Sequence, residues 1–499
     1  MPSAGYLNGA LPLLYARYSF YDAQMTPSHS LSSLHDLFAT QHTASRDHID
    51  VPLEIRRNRL LRMKALIDDH GTALAQAVQT DFGVRSLQLT EIADLFVLRT
   101  LLSHTLKSLP KWMKVQRVST PLYLQPARAY LQRQPLGVVG VISPWNYPVQ
   151  LALGPVITAL SAGNRVMLKP SELTPATSAL MAELLGKAFA PDEVCVVLGD
   201  GEVAAEFSAL PFDHLFFTGS TAVGRIVAKA AAANLTPTTL ELGGKSPCIV
   251  DASCDLNAAA IKIAHGKLLN AGQTCIAPDY VLLPKGREAA FGEAYANAVG
   301  KLFPAIAGNP DYAAIISARH HERLQSMLTA AEQGGATLQV IGIDDAHSPH
   351  SPHRQMPPVL AFDVPADSQM MQEEIFGPIL PVVPYGSLAG AIDYINARPR
   401  PLALYWFGTD NAARDSVLAQ TVSGGVTVND TLMHIAHENL PFGGIGNSGW
   451  GSYHGEAGFL RLTMQKPVLV QSKWARGDLF YPPYGKRFDH VMGLLKRWI

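Results

Sequence analysis

The sequence predicts an α/β protein with two parallel-sheet domains and a small β arm, and three features support this. The chain has 499 residues, which is too long for one hydrophobic core and indicates at least two domains. From residue 137 onward, short apolar runs typical of buried strands alternate with helical segments in two successive blocks. Two further segments, near residues 119–136 and 462–470, alternate apolar and polar residues loosely, as edge strands do.

Composition excludes several classes of protein. Apolar residues make up 47% of the chain and charged residues 16%, with a formal net charge of −1. The chain is therefore globular and carries no basic run that would suit nucleic acid. No apolar run is long enough to cross a membrane. The four cysteines form no disulfide framework and lack zinc-site spacing, which predicts a cytoplasmic protein without a metal site. They are Cys195, Cys248, Cys254 and Cys275.

Both ends of the chain differ from its body. Residues 1–30 are rich in Tyr, Ser, Pro and Gly without periodicity, so we predict a loose extension, with Met25 as an alternative start. Residues 476–499 are predicted to form a tail. Its segment 488–499 has the pattern of a short amphipathic helix, which packs on a protein body more often than on a membrane.

Helices precede the first buried strand. Residues 53–67 carry apolar side chains at helical spacing, and Gly71 is expected to end that helix. Residues 87–109 form a second long periodic stretch, which Pro110 is expected to stop. The loose alternation with prolines in 119–135 then predicts an edge hairpin.

The two parallel blocks follow in order. Continuous apolar runs between turn residues predict the strands, and longer periodic segments predict the helices. The predicted strands are 137–143, 165–168, 194–198, 214–217, 247–250, 280–283 and 426–428, with a late strand at 462–470. The predicted helices between them are 149–162, 176–189 and 221–233.

Cys275 follows an irregular Gly272-Gln273 turn, which would let its thiol project into a cleft. A cysteine acts as a nucleophile only as its thiolate, so it needs a polarised and partly open surrounding. Most free cysteines are instead small buried apolar residues. Taken alone, Cys275 is therefore interpreted as a structural residue. Other segments of the chain determine whether it is a nucleophile.

Residues 217–224 join a strand to an alanine-rich helix. Gly219 permits a tight turn, and Gly224 permits close approach to the first helical turns. The free N–H groups after Ser220 suit an anion such as a pyrophosphate. The glycine spacing matches neither the usual dinucleotide fingerprint nor a P-loop, so a plain strand–turn–helix connection is an equally good interpretation.

Two polar residues, Glu241 and Asn146, are candidates for catalytic roles. Glu241 lies between two leucines, where desolvation would raise its pKa and favour a general base, although a surface glutamate is the commoner case. Asn146 follows the first buried strand, where ligands of α/β sheets bind. Its side-chain N–H is a candidate donor to an oxyanion, and the alternative is a turn or cap between two prolines.

Three further segments are ambiguous when taken singly. Lys169 and Glu172 end another strand and either bond a ribose or are simply solvated. Residues 373–378, which include Glu374 and Phe376, and the glycine-rich segment 440–449 have the composition of ordinary surface turns.

Taken together, these segments resemble the NAD(P)-dependent aldehyde dehydrogenases in identity and order, over roughly residues 50–490. The sequence His434-Ile435-Ala436 before Leu440 is similar to coniferyl aldehyde dehydrogenases. Residues 265–269 lack the aromatic side chains that many class 3 members have there, which leaves the wall of the aldehyde channel undefined. The stretches similar to the class 3 branch are 241–248, 270–280, 453–455 and 482–486.

The resemblance implies a covalent mechanism. Cys275 would attack the aldehyde, the Asn146 amide and the Cys275 backbone N–H would stabilise the oxyanion, and Glu241 would activate the water that hydrolyses a thioester. Hydride would pass to NAD or NADP, and the charge of Glu172 would oppose a 2′-phosphate and so favour NAD. The cofactor-binding residues implied are Trp145, Lys169, Glu172, Gly219, Ser220, Gly224, Glu374 and Phe376.

The resemblance also implies the aldehyde dehydrogenase-like fold and its division into domains. The NAD-binding domain would comprise residues 31–118 and 137–243, and the catalytic domain residues 244–450. An oligomerisation arm would comprise residues 119–136 and 455–475. Exposed strand edges in that arm favour pairing between subunits, and the family expectation is a homodimer.

The substrate stays open at this point. An aromatic or unsaturated aldehyde such as coniferaldehyde is the first expectation, and a medium- or long-chain alkanal is the second. A CoA-acylating relative would not need a water-activating Glu241. A non-enzymatic, crystallin-like binding protein would not need Cys275, Glu241 and Asn146 together.

Overall fold

The computed structural model describes residues 31–342 and 354–497, and its strands form three sheets. The predicted extension 1–30 lies outside the described residues. The helices are α1 (Leu31–Asp47), α2 (Leu53–Phe82), α3 (Leu87–Thr90), α4 (Val97–Trp112), α5 (Gln150–Ser161), α6 (Pro175–Ala188), α7 (Gly201–Ser208), α8 (Thr221–Ala233), α9 (Leu256–Leu268), α10 (Glu288–Leu302), α11 (Ala318–Gln333), α12 (Gln369–Gln372), α13 (Leu388–Asn396), α14 (Asn411–Gln420), α15 (Gly455–Arg461) and α16 (Lys486–Leu495). The strands are β1 (Gln116–Val118), β2 (Arg128–Pro135), β3 (Val138–Ile142), β4 (Arg165–Lys169), β5 (Val194–Val196), β6 (His214–Thr218), β7 (Thr238–Glu241), β8 (Pro247–Val250), β9 (Tyr280–Pro284), β10 (Thr337–Val340), β11 (Val359–Phe362), β12 (Ile379–Tyr385), β13 (Ala403–Phe407), β14 (Gly425–Val428), β15 (Gly449–Trp450) and β16 (Thr463–Val470).

The first large sheet has the strand order β15-β7-β6-β3-β4-β5. Its strands run parallel except β15, which pairs antiparallel with β7. Every residue of β3, β4 and β6 is buried, as expected of strands covered on both faces. Helix α5 is buried along its whole length, which explains why its apolar residues show no clear helical stripe.

The second large sheet has the order β10-β11-β12-β9-β8-β13-β14 and is parallel except for β10. The sequence pattern predicts β8, β9 and β14 but misses the buried strands β12 and β13. Both large sheets present the carboxyl ends of parallel strands, which is where α/β proteins bind ligands.

A third sheet is small and antiparallel, with the order β1-β2-β16. Strand β16 pairs with β2 from Thr463 opposite Pro135 to Val470 opposite Arg128, so the predicted late strand is confirmed. The expected hairpin is only partly right. Residues Leu122–Leu124 form a 3-10 turn, and β1 lies before them.

Two expected helix ends are wrong. Helix α2 continues through Gly71. A Cβ at this position would lie 2.9 Å from the Arg99 guanidinium, so close packing explains why the residue is a glycine. A glycine inside a helix costs only about 1 kcal/mol, which the packing of α2 offsets. Pro110 lies in the last turn of α4, which ends two residues later at Trp112.

Helices α3 and α4 are joined without a break by a π-helical segment, Glu91–Phe96. The predicted C-terminal helix is present as α16. None of the helices in the described ranges is both long and apolar enough to span a bilayer.

Candidate active site

Cys275 sits after a strained turn that connects α9 to β9. Asn270 and Ala271 both have left-handed backbone conformations, with φ of 52° and 53°. Such conformations cost roughly 1–2 kcal/mol each for residues other than glycine. Gly272 follows with φ of 78°, and a Cβ there would lie 2.2 Å from the carbonyl oxygen of Gly377. The turn is therefore pressed against the segment that carries Glu374 and Phe376.

Hydrogen bonds from two side chains hold this turn. Gln273 donates to the carbonyls of Asn270 (2.9 Å) and Ala314 (3.0 Å) and accepts from the Ile316 N–H (2.9 Å). Asn270 donates to the carbonyl oxygen of Asn146 at 3.0 Å. The sequence motif around Cys275 thus uses its polar residues to fix the loop that presents the thiol.

Cys275 is partly exposed as a residue, whereas Cys248 is fully buried. Its apolar surroundings raise the pKa of Cys275 to about 12, and the carboxyl groups of Glu374 and Glu241 add to this effect. Hydrogen bonding from the backbone at Cys275 and Ile276 lowers the pKa and partly offsets this effect. In this form the thiol is protonated at neutral pH, so a base must take its proton before it can attack.

Glu241 ends strand β7 and is 3% exposed. Neither carboxyl oxygen has a hydrogen-bond partner within residues 31–342 and 354–497. Burial raises the pKa of Glu241 well above 4.5, as its position between two leucines predicts. In its ionised form, such a carboxylate can accept a proton from water or a thiol.

Asn146 is 3% exposed and lies beside the Cys275 loop. Its side-chain amide donates to the carbonyl of Gln273 at 3.1 Å. The amide carries two hydrogens, so one remains for another acceptor. This arrangement suits an oxyanion donor next to the thiol.

A buried ion pair, Arg85–Asp94, lies behind Asn146 and the Cys275 loop. The sequence pattern does not indicate it. Arg85 and Asp94 lie 2.8 Å apart and are both fully buried. Arg85 also donates to the Asn146 carbonyl (2.6 Å) and to the Asn270 side chain (3.2 Å). Asp94 accepts from the backbone N–H of Gln150 at 3.0 Å, at the start of α5. The pair ties the helical segment before the first sheet to both Asn146 and the Cys275 loop.

Polar groups gather at the carboxyl edge of the first sheet. Lys169 is 2% exposed and lies 2.9 Å from Glu172, whose side chain is half-exposed. The hydroxyls of Ser143 and Thr218, after β3 and at the end of β6, are buried without a hydrogen-bond partner in the described parts of the chain. Buried polar atoms of this kind need a partner, so the edge fits a polar ligand such as a dinucleotide.

The 219–224 turn is explained largely by packing. The Ser220 hydroxyl caps α8 by accepting from the Val223 N–H at 3.3 Å. A Cβ on Gly219 would lie 2.6 Å from the Phe217 ring, and one on Gly224 would lie 2.6 Å from Leu242. The group that approaches Gly224 closely in this structure is the side chain of Leu242, the residue directly after Glu241.

Trp145, Phe376 and Glu374 lie on the other side of the thiol loop. The rings of Trp145 and Phe376 meet edge to face at 5.4 Å, and Trp145 also contacts His320 at 5.1 Å. Glu374 lies directly against Gly243, where a Cβ would be 1.9 Å from its carboxyl oxygen. Burial, with the charge of Asp279, raises the pKa of Glu374 to about 8.

Lys267 is a second residue that the sequence pattern misses. It is fully buried near the end of α9, and its ammonium has no hydrogen-bond partner among the residues described. Burial lowers its pKa to about 8, while the carboxyl groups of Asp279 and Glu374 favour its charged form. Its apolar neighbours in sequence are the only signal that pointed to burial. No group of His, Cys, Asp and Glu in the described ranges is arranged to hold a metal ion.

Comparison with known proteins gives a consistent result. The Aldehyde dehydrogenase family matches residues 27–468. A protein of Pseudomonas aeruginosa called probable coniferyl aldehyde dehydrogenase is 48% identical over 93% of this chain and 96% of its own length. AldH of Staphylococcus aureus, solved in a substrate-bound state, has a TM-score of 0.87 and 36% identity over 93% of this chain and 99% of its own. Betaine aldehyde dehydrogenase of S. aureus, solved with NAD⁺, has a TM-score of 0.80 and 26% identity over 89% of both chains.

Proposed function

The chain belongs to the aldehyde dehydrogenase family, and on that premise we propose that it oxidises an aromatic or unsaturated aldehyde such as coniferaldehyde to the carboxylate. The observation that carries the mechanism is the arrangement of three groups. They are a partly exposed cysteine on a fixed loop, a buried carboxyl group without a hydrogen-bond partner in the described residues, and an amide with a second N–H to donate. The substrate class follows the 48% identical relative, which is called a probable coniferyl aldehyde dehydrogenase.

Cys275 begins the reaction. A flat carbonyl is a poor hydride donor, so the thiolate first adds to the carbonyl carbon and makes a tetrahedral thiohemiacetal. The resulting oxyanion accepts hydrogen bonds from the Asn146 amide and the Cys275 backbone N–H. Removing one such donor costs about 10²–10³ in rate in other enzymes. Glu241 is the candidate base for the thiol proton, because its carboxyl group acts electrostatically on Cys275.

The cofactor is NAD⁺, which when bound would supply the hydride acceptor. Lys169 and Glu172 are the candidate ligands of one ribose and Glu374 of the other, while Phe376 and Trp145 would border the nicotinamide. Gly219, Ser220 and Gly224 would border the pyrophosphate. The carboxylate of Glu172, which pairs with Lys169, would oppose a 2′-phosphate, so NAD would be preferred over NADP.

Glu241 completes the reaction. Loss of hydride leaves a thioester on Cys275, and Glu241 takes a proton from a water that attacks the thioester carbon. The carboxylate product then leaves with its second oxygen from that water, and the thiol is restored. This step separates the proposal from a CoA-acylating enzyme, which would hand the acyl group to CoA.

The assembly and location are further proposals. We expect a homodimer in which strands of the small sheet, β1-β2-β16, pair across the subunits, since Met464, Leu469 and Val470 of β16 are exposed. The cell compartment proposed is the cytoplasm, because the four cysteines are free.

The test is reduction of NAD⁺, followed by the absorbance of the reduced nicotinamide, with coniferaldehyde, benzaldehyde, hexanal and decanal. We expect free carboxylate without CoA, and the highest kcat/KM with coniferaldehyde and NAD⁺. Cys275→Ala should abolish oxidation while leaving NAD⁺ binding intact. Full turnover by Cys275→Ala would contradict the mechanism, and a preference for decanal would leave the mechanism standing but remove the coniferyl assignment.

A further inference from the structure

Another buried ion pair, Lys245–Asp279, has no part in the mechanism described so far. Lys245 lies four residues after Glu241, and Asp279 lies four residues after Cys275. Both come just before neighbouring strands, β8 and β9, whose first residues pair in parallel, so the two side chains can meet. They are in direct contact, and the side chains are only 9% and 4% exposed. The pair therefore links the segment that follows the candidate base to the segment that follows the nucleophile.

Both members of the pair also hydrogen-bond to the main chain of a third segment. The Lys245 ammonium donates to the carbonyl oxygens of Met370 at 2.7 Å and Glu373 at 3.1 Å, and the contact with Asp279 uses its third hydrogen. The second carboxyl oxygen of Asp279 accepts from the Ile375 N–H at 3.1 Å. Three hydrogen bonds from one ion pair thus fix the backbone of that segment.

The third segment, residues 369–377, has an irregular backbone. It begins with the single turn of α12, and Phe376 then has a left-handed conformation with φ of 51°. Such a conformation is strained for a residue other than glycine and persists only where the surrounding structure holds it. Arg323 donates to the carbonyl of Ile375, the residue before Phe376. Charged side chains from other parts of the chain therefore hold this backbone in place.

The same segment carries two residues that are expected to contact the cofactor. Glu374 lies against the turn that leads to Lys245, since a Cβ on Gly243 would be 1.9 Å from a carboxyl oxygen of Glu374. The Phe376 ring meets that of Trp145 edge to face at 5.4 Å. The positions of the Glu374 and Phe376 side chains thus depend on a backbone that the ion pair fixes.

We propose that Lys245 and Asp279 form a positioning pair, which holds the backbone of residues 369–377 so that Glu374 and Phe376 reach the nicotinamide half of NAD⁺. This inference rests on the proposed function and adds two residues that act through Glu374 and Phe376 without touching the cofactor. Because the two charges of the pair cancel, its effect on the cofactor is one of geometry. No proton transfer or covalent step is involved.

The two halves of the cofactor allow a specific test of this role. Lys169 and Glu172, the candidate ligands of the adenosine half, lie at the end of β4 and just after it, in the first sheet. ADP contains the adenosine half and lacks the nicotinamide and its ribose. A positioning role therefore predicts a weaker affinity for NAD⁺ with an unchanged affinity for ADP, whereas a general loss of structure would weaken both.

The main variant is Lys245→Met/Asp279→Leu, which removes both charges and so leaves no unpaired one in the interior. We expect isothermal titration to show roughly tenfold weaker binding of NAD⁺, because hydrogen bonds to its ribose are lost, and equal binding of ADP. Asp279→Asn keeps an acceptor for the Ile375 N–H and should lose roughly threefold in NAD⁺ affinity alone. Arg165→Met/Asp192→Asn is the matched control. It removes an ion pair at the start of β4 that also bonds a backbone carbonyl, and both affinities should stay unchanged.

The titrations need no turnover, which separates this inference from the proposed function. Failure to oxidise any aldehyde would contradict the proposed function and leave the comparison of NAD⁺ with ADP valid. Equal NAD⁺ affinities of the wild type and Lys245→Met/Asp279→Leu would overturn the inference even in an active enzyme, and so would equal losses for NAD⁺ and ADP. Thermal unfolding checks that each variant is folded. If the double variant is not, Asp279→Asn decides by the same comparison.

Discussion

Gly449 lies directly opposite Glu241 across the antiparallel pair of β15 with β7. Its φ is +120°, and a Cβ there would lie 1.9 Å from the Leu240 carbonyl oxygen. The glycine-rich segment, which looks like a surface turn in sequence, thus supports the strand end that carries the candidate base. The backbone, and not a side chain, makes this contact.

Gly449→Ala should therefore disturb both stability and the hydrolytic step. We expect a loss of about 2–5 kcal/mol in the free energy of unfolding, from backbone strain plus the clash. Displacement of Glu241 should also slow deacylation more than acylation. Gly446→Ala is the matched control, since its φ is +65° but no atom lies within 4 Å of the added Cβ. Urea unfolding and stopped-flow bursts measure the two effects, and equal losses in both variants would argue against the clash.

Glu241→Gln should separate the two halves of the reaction. The carboxyl group of Glu241 has a raised pKa, so a growing fraction ionises as pH increases and the rate of hydrolysis should rise with it. Glutamine cannot accept the water proton, so this variant should show a burst of reduced nicotinamide followed by turnover at least 10²-fold slower. Its deacylation rate should also lose the pH dependence. An unchanged steady-state rate at all pH values would exclude Glu241 as the hydrolytic base.

Arg85→Met tests the buried ion pair behind Asn146. The substitution leaves the Asp94 carboxyl group buried without its charged partner, and we expect a loss of about 3–5 kcal/mol in unfolding free energy. Arg85→Met/Asp94→Leu should recover much of that loss, because no buried charge remains. Arg46→Met breaks a more exposed pair with Asp213 and should cost about 1 kcal/mol or less. A double variant less stable than Arg85→Met would contradict this account.

Lys267→Met probes the buried ammonium that has no hydrogen-bond partner in residues 31–342 and 354–497. The pKa of Lys267 falls from 10.5 to about 8 on folding, so between these pH values the unfolded chain binds more protons than the native one. The free energy of unfolding of the wild type should therefore increase relative to that of Lys267→Met as pH rises from about 8 to 10.5. At pH 7 the variant should be at least as stable as the wild type, since burial of the Lys267 charge costs more than Asp279 and Glu374 return.

Lys267→Met should also change the affinity for NAD⁺. The Glu374 carboxylate and the Lys267 ammonium attract each other, so removing the positive charge should keep Glu374 more protonated. We expect NAD⁺ binding to weaken by roughly three- to tenfold, because Glu374 is proposed to bind a ribose. Lys262→Met, an exposed lysine on the same helix, controls for the loss of a positive charge. Isothermal titration with NAD⁺ measures the effect, and equal affinities for all three proteins would show that Lys267 does not act through Glu374.

Strands β3, β4, β5 and β6 of the first sheet were predictable because their apolar runs are bounded by turn residues, whereas the buried strand β7 of the same sheet was missed. Strand β13 was missed although it is fully buried, since its Tyr405, Trp406 and Phe407 follow a proline-rich segment that has the composition of a loop. At Gly71 and Pro110 the sequence predicts helix ends that the structure does not have at those residues. Local propensity favours a helix end at both, and tertiary packing overrides it at Gly71.

The candidate catalytic residues were predictable only as a set. Cys275, Glu241 and Asn146 each have a commoner structural interpretation, and their order along the chain is what pointed to the family. Arg85, Asp94 and Lys267 have no such signal, because a buried charge is recognised only by what surrounds it in three dimensions. The roles of the individual site residues stay predictions, as do the domain boundaries.

The π-helical segment Glu91–Phe96 makes one helix sensitive to its exact length. A π turn holds one residue more than an α turn, and each residue of an α-helix turns the chain by about 100°. Deleting one residue between Asp94 and Val97 would restore ordinary α bonding and rotate Asp94 away from Arg85. We therefore expect this helix to tolerate substitutions on its exposed face but no change of register. Single-residue deletions along residues 87–112 should locate the additional residue of the π turn.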